Sequence, residues 1–335
     1  MKRSLVTGAS GQAGSYLCEH LLSLGHEVFA MVRRNTSFIP EKSFLADCLP
    51  NKNFHLCKGD VTDPYSLARL FEEIHPQYCY HAAAQSDVGE SWRYPITTVD
   101  ATAKGALHVL EVIRTLVPSC KFLNFSSSEI FGMAKEVPQN EQTPFYPRSP
   151  YGVSKLFSHW MTVNYRESYD LFACNAILFN MESPRRGPNF VTQKIAQGVA
   201  RIATQLELGE EPTPIMLGNL DAKRDWNDAR RSVCTVVKML EQNEPQDYVI
   251  GSGSTHSVLE FVQAAFKAAE ISPWGNYIKI DPQFKRPAEV PLLCADPTKA
   301  VQELGYDPSA KNFEALVSEM VHAAMPKEDC GLLRS

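Results

Sequence analysis

The sequence of 335 residues predicts a doubly wound, parallel α/β sheet with a smaller C-terminal lobe. Three observations predict it. Short apolar runs alternate with helix-length segments as far as residue 180, a glycine-rich turn separates the first run from the first helix, and the chain becomes proline-rich beyond Asn180.

Leu5-Val6-Thr7 is the first strand, and Ser15 to Leu24 reads as a helix stopped by Gly25. His26 to Val32, rich in strand formers, is the second strand. After a third short strand come Asp60-Val61, a helix over Pro64 to Ile74, a strand over Tyr78 to Ala83 and a helix over Ala101 to Leu116. A strand over Phe122 to Ser126, a helix over Tyr151 to Tyr169 and a strand over Phe172 to Phe179 complete the alternation. Strand, helix, strand in regular succession implies parallel pairing with helices on both faces. Pro184, Arg185, Arg186, Gly187 and Pro188 then crowd together, which places a first domain at 1–180, with a segment near 215–250 returning to it. A substrate-binding lobe is expected at 181–214 and 251–330.

Composition excludes several classes. Lys+Arg 33 against Asp+Glu 38 gives a net charge of -5, with no basic run that would neutralise a phosphate backbone, so no nucleic-acid partner is expected. The nine cysteines form no C-x-x-C pair and no Cys/His cluster, which argues against a metal site or a disulfide framework and for a reducing, cytoplasmic compartment. The apolar run after Lys2 and Arg3 ends at Gly8, and no window approaches ~18 apolar residues. Neither export nor a membrane span is expected.

Gly8, Ser10, Gly11, Gln12 and Gly14 form a G-x-x-G-x-x-G turn between strand and helix, where backbone N–H groups and the helix dipole receive a pyrophosphate. This region resembles the short-chain dehydrogenase/reductase superfamily. Roughly 20 residues further on, where an acidic residue would hold the adenosine ribose of NAD, stand Arg33 and Arg34, which suit a 2'-phosphate and favour NADP. Asp60 and Val61 are placed to bind the adenine, and Ala82, Ala83, Ala84, Gln85 and Ser86 are mostly small residues that let the cofactor approach.

Tyr151 and Lys155 stand one helical turn apart, on one face. A lysine beside a tyrosine, with oxidised nicotinamide nearby, is expected to lower the phenol pKa and make it a base for a hydroxyl proton. Ser127 and Ser128, at the end of the fifth strand, lie where doubly wound sheets place their sites. Ser127 would hydrogen-bond a substrate oxygen. Glu129 adds what simple alcohol oxidation does not need: a base for a carbon acidified by a newly formed ketone.

With these motifs, Tyr146-Pro147-Arg148-Ser149-Pro150-Tyr151-Gly152, the segment Leu178 to Gly187 and the segment Gly218 to Trp226 make the chain resemble the GDP-mannose 4,6-dehydratase family from Leu5 to about Val321. The resemblance implies an extended short-chain fold, NADP retained through turnover, a GDP-sugar substrate and a homo-oligomer, a tetramer, in which Asn35 to Phe38 reach a neighbour. It implies that Tyr151 and Lys155 begin oxidation at C4, that Ser127 and Ser128 take the family's threonine and serine places, and that Glu129 removes the C5 proton and helps water leave C6. It assigns Arg186 to the cofactor and Asn180, Val191, Lys194, Arg224, Arg286 and Glu289 to the nucleotide sugar. The chain departs from the family pattern at Ala13 and Arg231, where acidic residues are usual, at Met181, where histidine is usual, and at Gln193, where arginine is usual.

Ser127-Ser128-Glu129 before the Tyr151 helix, Gln193 and the stretch Arg286 to Pro291 also resemble the related GDP-4-keto-6-deoxymannose reductase, so Glu129 alone does not exclude that activity, whereas the segments Arg185 to Gly187 and Leu220 to Trp226 favour the dehydratase. The reductase activity, a 4-epimerase or 4-dehydrogenase, and a non-catalytic sugar-nucleotide binder are the alternatives. GDP-mannose and a GDP-heptose of the same configuration stay open as substrates.

Overall fold

The computed structural model describes residues 1–33, 38–284, 288–290 and 292–326. Arg34, Arg286 and the Asn35–Ser37 part of the expected intersubunit loop lie outside the described residues.

Seven strands form one sheet, all in parallel: β1 (Arg3–Thr7), β2 (Glu27–Val32), β3 (Phe54–Lys58), β4 (Tyr78–His81), β5 (Lys121–Phe125), β6 (Ala173–Leu178) and, at the far edge, Tyr248–Ile250. The chain winds outward from β1 through β2 to β3, then restarts on the other side of β1 with β4, β5 and β6. The sheet's switch point therefore lies between β1 and β4, where such sheets open a crevice at their carboxyl ends. The strands are apolar runs because both faces are covered, and β6 is buried at every residue.

Helices Gln12–Ser23 and Ala229–Leu240 cover one face, with Leu17, Leu21, Val233 and Val237 in a common core with Val6, Val28 and Leu123. Helices Pro64–Ile74, Gly105–Leu116 and Pro150–Tyr169 cover the other. There Leu67, Phe71, Val109, Ile113 and Tyr165 pack on Leu5 and Phe122. Helices Val191–Glu207, Val258–Ala268 and Phe313–Ala324 build a separate core around Ile195, Phe261 and Met320. Of the segment 215–250, helix Ala229–Leu240 and strand Tyr248–Ile250 join the large sheet, whereas Ile215–Leu217 pairs with Ile278–Ile280 in the smaller core.

Two short helices, Val88–Arg93 and Pro95–Thr98, fill a stretch to which the sequence assigned no element. Their signal was present: Asp87 caps the first by accepting the Glu90 N–H at 3.1 Å, and Pro95 opens the second. The next helix begins with a wide π-turn over Val99–Lys104, from which Thr102 Oγ1 accepts the Gln85 N–H at 3.1 Å.

Candidate active site

A single cleft of about 2010 Å³ opens over the carboxyl ends of the strands, and every proposed site residue among the described ones borders it. Its base is the turn after β1. Gly8 has φ +68, and a Cβ there would stand 2.8 Å from the Ala83 backbone; one on Gly14 would stand 2.3 Å from the Gly8 carbonyl oxygen. No side chain fits at either position, so β1, the first helix and the Ala82–Ala83 backbone close to form a bare peptide wall. Ser10, Gly11 and Gln12 line the same turn, and Gly11 caps the helix without a side-chain partner, leaving its first N–H groups toward the cleft. Gln12 Nε2 donates to the Met181 carbonyl at 2.9 Å and Ser183 Oγ donates to Gln12 Oε1 at 2.7 Å, tying this turn to the start of the smaller lobe.

Arg33 is exposed at the end of β2 and faces the cleft. Asp60 and Val61 lie beside it, and one Asp60 oxygen already accepts Thr62 N–H and O–H at 2.9 and 2.8 Å. Ala84, Gln85 and Ser86 continue the wall toward the sheet's centre. Two of the family departures meet here: Ala13 and Met181 pack against one apolar cluster and both border the cleft.

The reactive groups come from the end of β5 and the helix Pro150–Tyr169. Ser149 caps that helix by accepting the Gly152 N–H at 3.0 Å, and Pro150 holds its first turn, so Tyr151 and Lys155 are presented rigidly. Ser127, Ser128 and Glu129 are all buried, and Ser127 Oγ accepts the Glu129 N–H at 3.2 Å. Burial pushes the Tyr151 hydroxyl up to about 12, opposed by its hydrogen bond with Ser127 and raised further by the Glu129 charge. Lys155 Nζ donates to the Phe125 carbonyl at 2.5 Å, and burial brings its pKa down to about 8.

Lys155 Nζ lies 6.0 Å from the Tyr151 ring centre and is held by backbone, and among the protein's own groups Ser127 and Arg186 lower the phenol's pKa, outweighed by the desolvation of a buried hydroxyl.

Toward the smaller lobe, Arg186 pairs with buried Glu182 at 3.3 Å and lies 3.6 Å over the Phe190 ring. Thr192 donates to the same Glu182 carboxylate at 2.6 Å. Asn180, Val191, Lys194, Arg224 and Glu289 line the far end. Lys194 Nζ sits 3.4 Å over Phe284, and burial lowers its pKa. Arg224 pairs with Glu289 at 3.2 Å. Next to it, buried Asp225 accepts from Ser252 N–H and O–H, Gly253 N–H and Ala295 N–H within 3.0 Å, while Trp226 enters the core, so Arg224 is fixed from both sides. Among the described residues no group of His, Cys, Asp and Glu forms a metal site, and no helix is long and apolar enough to cross a membrane.

Sequence reasoning missed Phe284, Glu182 and the helix Val88–Arg93 as cleft walls. Glu182 carried no periodic signal, since it ends a strand and meets Arg186 across a turn. Phe284 carried none, since it reaches the cleft through the pairing of Ile278–Ile280 with Ile215–Leu217.

Comparison with known proteins agrees with this geometry. A dTDP-glucose 4,6-dehydratase from Streptomyces venezuelae has the same fold, with a TM-score of 0.84 over 96% of each chain at 21% identity. A UDP-glucose 4-epimerase from Thermus thermophilus, solved in complex with NAD, has a TM-score of 0.81 at 26% identity, over 96% of this chain and 98% of that one. Curated GDP-mannose 4,6-dehydratases are closer in sequence: 43% identical for the Homo sapiens protein, over 96% of this chain and 90% of that one, and 41% for a Vibrio cholerae protein, over 96% and 93%. The family model described as GDP-mannose 4,6 dehydratase matches residues 5–320, the whole span that carries the cleft. Similarity of this extent, in a chain whose serine, glutamate, tyrosine and lysine meet in one cleft, means that it belongs to the GDP-mannose 4,6-dehydratase family.

Proposed function

We propose that this chain converts GDP-mannose to GDP-4-keto-6-deoxymannose, with NADP bound along the wall from Gly8 to Ser86. The cradle fits a dinucleotide because Gly8 and Gly14 let the first strand, the first helix and the Ala83 backbone close into a wall without side chains, with the helix's first N–H groups beside it. Arg33, with Arg34 beside it in sequence, supports NADP over NAD. Held there by the Gly8–Gly14 turn, Arg33 and the Ala82–Ser86 wall, NADP would supply a hydride acceptor for oxidation at C4 and the donor for reduction at C6.

The chain's own residues do the rest. Ser127 donates to the C4 oxygen while Tyr151 Oη takes its proton, and Lys155, with donors to spare beyond Phe125, steadies the phenolate. The ketone acidifies C5. Glu129 removes the C5 proton and passes it to the C6 hydroxyl, which leaves as water; the proton held by Tyr151 balances the one that C5 regains. Lys194 and Arg224 supply the charge for a diphosphate. Arg186, paired with Glu182 and lying over the Phe190 ring, would contact the cofactor.

Glu129 carries this reading against simple alcohol oxidation, and the segments Arg185 to Gly187 and Leu220 to Trp226 favour it over the reductase. A buried carboxylate whose charge acts on the tyrosine serves elimination and has no task in simple alcohol oxidation. Incubation of the purified protein with GDP-mannose and catalytic NADP tests it: mass spectrometry should find the nucleotide sugar lighter by one water. Consumption of one NADPH per product, from a 4-keto substrate, would point to the reductase instead.

We further infer a cofactor domain at 1–180 with most of 215–250, a substrate lobe from the remainder, a cytoplasmic location and a homotetramer. Val153, Phe157 and Trp160, exposed along one face of the helix that carries Tyr151, support association.

A further inference from the structure

Four adjacent strands carry a polar residue at one register. Thr7 of β1 stands opposite His81 of β4, His81 opposite Asn124 of β5, and Asn124 opposite Asn175 of β6. All four are buried. Such groups are costly unless bonded, and the chemistry above uses none of them.

Counting donors and acceptors gives the row a direction. The His159 carbonyl only accepts, and it takes an Asn175 Nδ2 proton at 3.2 Å. That turns Asn175 Oδ1 toward Asn124, whose Nδ2 donates to it at 2.9 Å. Asn124 Oδ1 is thereby left for the other side, the side of His81, and it has no partner among the described residues. At the opposite end, Thr7 Oγ1 accepts the Ala83 N–H at 3.2 Å and lies 3.0 Å from His81 Nδ1. His81 Nε2 also lacks a partner among the described residues.

The two neutral tautomers are not equivalent here. With the ring proton on Nδ1, His81 Nε2 and Asn124 Oδ1 would be neighbouring buried acceptors and the Thr7 proton would compete with another donor. With the proton on Nε2, Thr7 O–H gives to Nδ1 and Nε2–H is free to reach Asn124 Oδ1 through one bridging water, since the two atoms make no direct hydrogen bond. Burial, and then the Lys155 charge, bring the ring's pKa down to about 3, so it is neutral in ordinary buffers.

We propose that His81 is a positioning residue whose Nε2–H tautomer completes a one-way hydrogen-bonded row from the Ala83 wall of the cleft to the helix of Tyr151 and Lys155. The row enters that helix at His159, and Asn124 also lies 3.5 Å from Ser158 Oγ. It touches Lys155 by a second route, because the carbonyl that holds Nζ belongs to Phe125, the residue after Asn124. The row thus sets the base relative to the cofactor wall. What that helix does rests on the functional reading above.

Two substitutions and one spectrum test this. In His81→Gln the terminal amide nitrogen can take the place of Nε2 and keep the Asn124 link; in His81→Asn the shorter amide can keep only the Thr7 link. The rate of nicotinamide reduction on mixing with GDP-mannose should fall about tenfold in His81→Asn, the worth of one hydrogen bond, with KM unchanged, and should largely recover in His81→Gln. Equal rates in the two variants, or a change confined to KM, would overturn the proposal. Nitrogen-15 NMR of histidine-labelled wild type, without substrate, should show His81 as the single Nε2–H tautomer at neutral pH, and an Nδ1–H tautomer would overturn it whether or not the variants fold. Because the spectrum needs no substrate, failure of GDP-mannose to react would reject the functional reading alone.

Discussion

Glu129 and Tyr151 divide the chemistry at the scale of single residues. Glu129→Gln keeps size and polarity but cannot take the C5 proton, so overall turnover should fall by about 10²- to 10⁴-fold while reduced nicotinamide builds up on the enzyme. Tyr151→Phe should abolish that build-up, seen by absorbance in a stopped-flow mixing experiment. An unchanged dehydration rate in Glu129→Gln would remove the glutamate from its role. Arg33 makes a separate prediction: Arg33→Ala should weaken NADP by about tenfold and leave NAD nearly unaffected by calorimetry, since a charge-assisted phosphate contact is lost only in NADP. Most of these residues were legible in the sequence because each sits at a fixed offset from a turn or on one helix face. The Tyr151 pKa was not, since its rise to about 12 comes from enclosure by residues distant in the chain. Thr7, His81, Asn124 and Asn175 were also hidden, because only strand register brings them into one row.

At the scale of elements, charge holds the helices of the two cores together. Arg230, at the start of the helix Ala229–Leu240, binds Asp228 and Glu319 at 2.6 and 2.7 Å, and Lys311 also donates to Glu319. Arg230 and then Lys311 hold the Glu319 carboxyl down at about 2, against an ordinary 4.5. A depressed folded-state pKa gives stability that is complete above the unfolded value and lost as pH falls toward the folded one. Glu319→Gln should therefore destabilise the protein at neutral pH by about 1 kcal/mol, the figure for a partly exposed network, with the gap to wild type closing between about pH 4.5 and 2 in urea titrations. A gap independent of pH would show that the pair's charge is not what matters. Strands β1, β2, β4, β5 and β6 were readable as apolar runs, and the helices before residue 170 as segments stopped by Gly25 or starting near Pro64, Ala101 and Tyr151, whereas the four long helices beyond Asn180 were not identified. The two-residue and three-residue strands of the smaller lobe were not, because segments so short carry no period.

The whole molecule follows from its switch point. Winding outward from β1 in both directions leaves Gly8 facing Ala83, and the cleft that carries the proposed site residues opens over that gap. The glycine turn and the alternation of strands and helices made this readable from the sequence. The lobe's contribution was readable only through resemblance, since Lys194, Arg224 and Glu289 come from three separate stretches of chain that packing alone unites. At this scale we expect a homo-oligomer in light scattering at micromolar concentration, and Trp160→Glu should shift it to smaller species; a wild-type monomer would contradict the assembly. One hydride should leave C4 and return at C6 within one cleft, and GDP-mannose deuterated at C4 follows it. The 4-keto product should carry the deuterium at C6, with none gained by added NADP; deuterium found again at C4, or in NADPH released to solution, would contradict it.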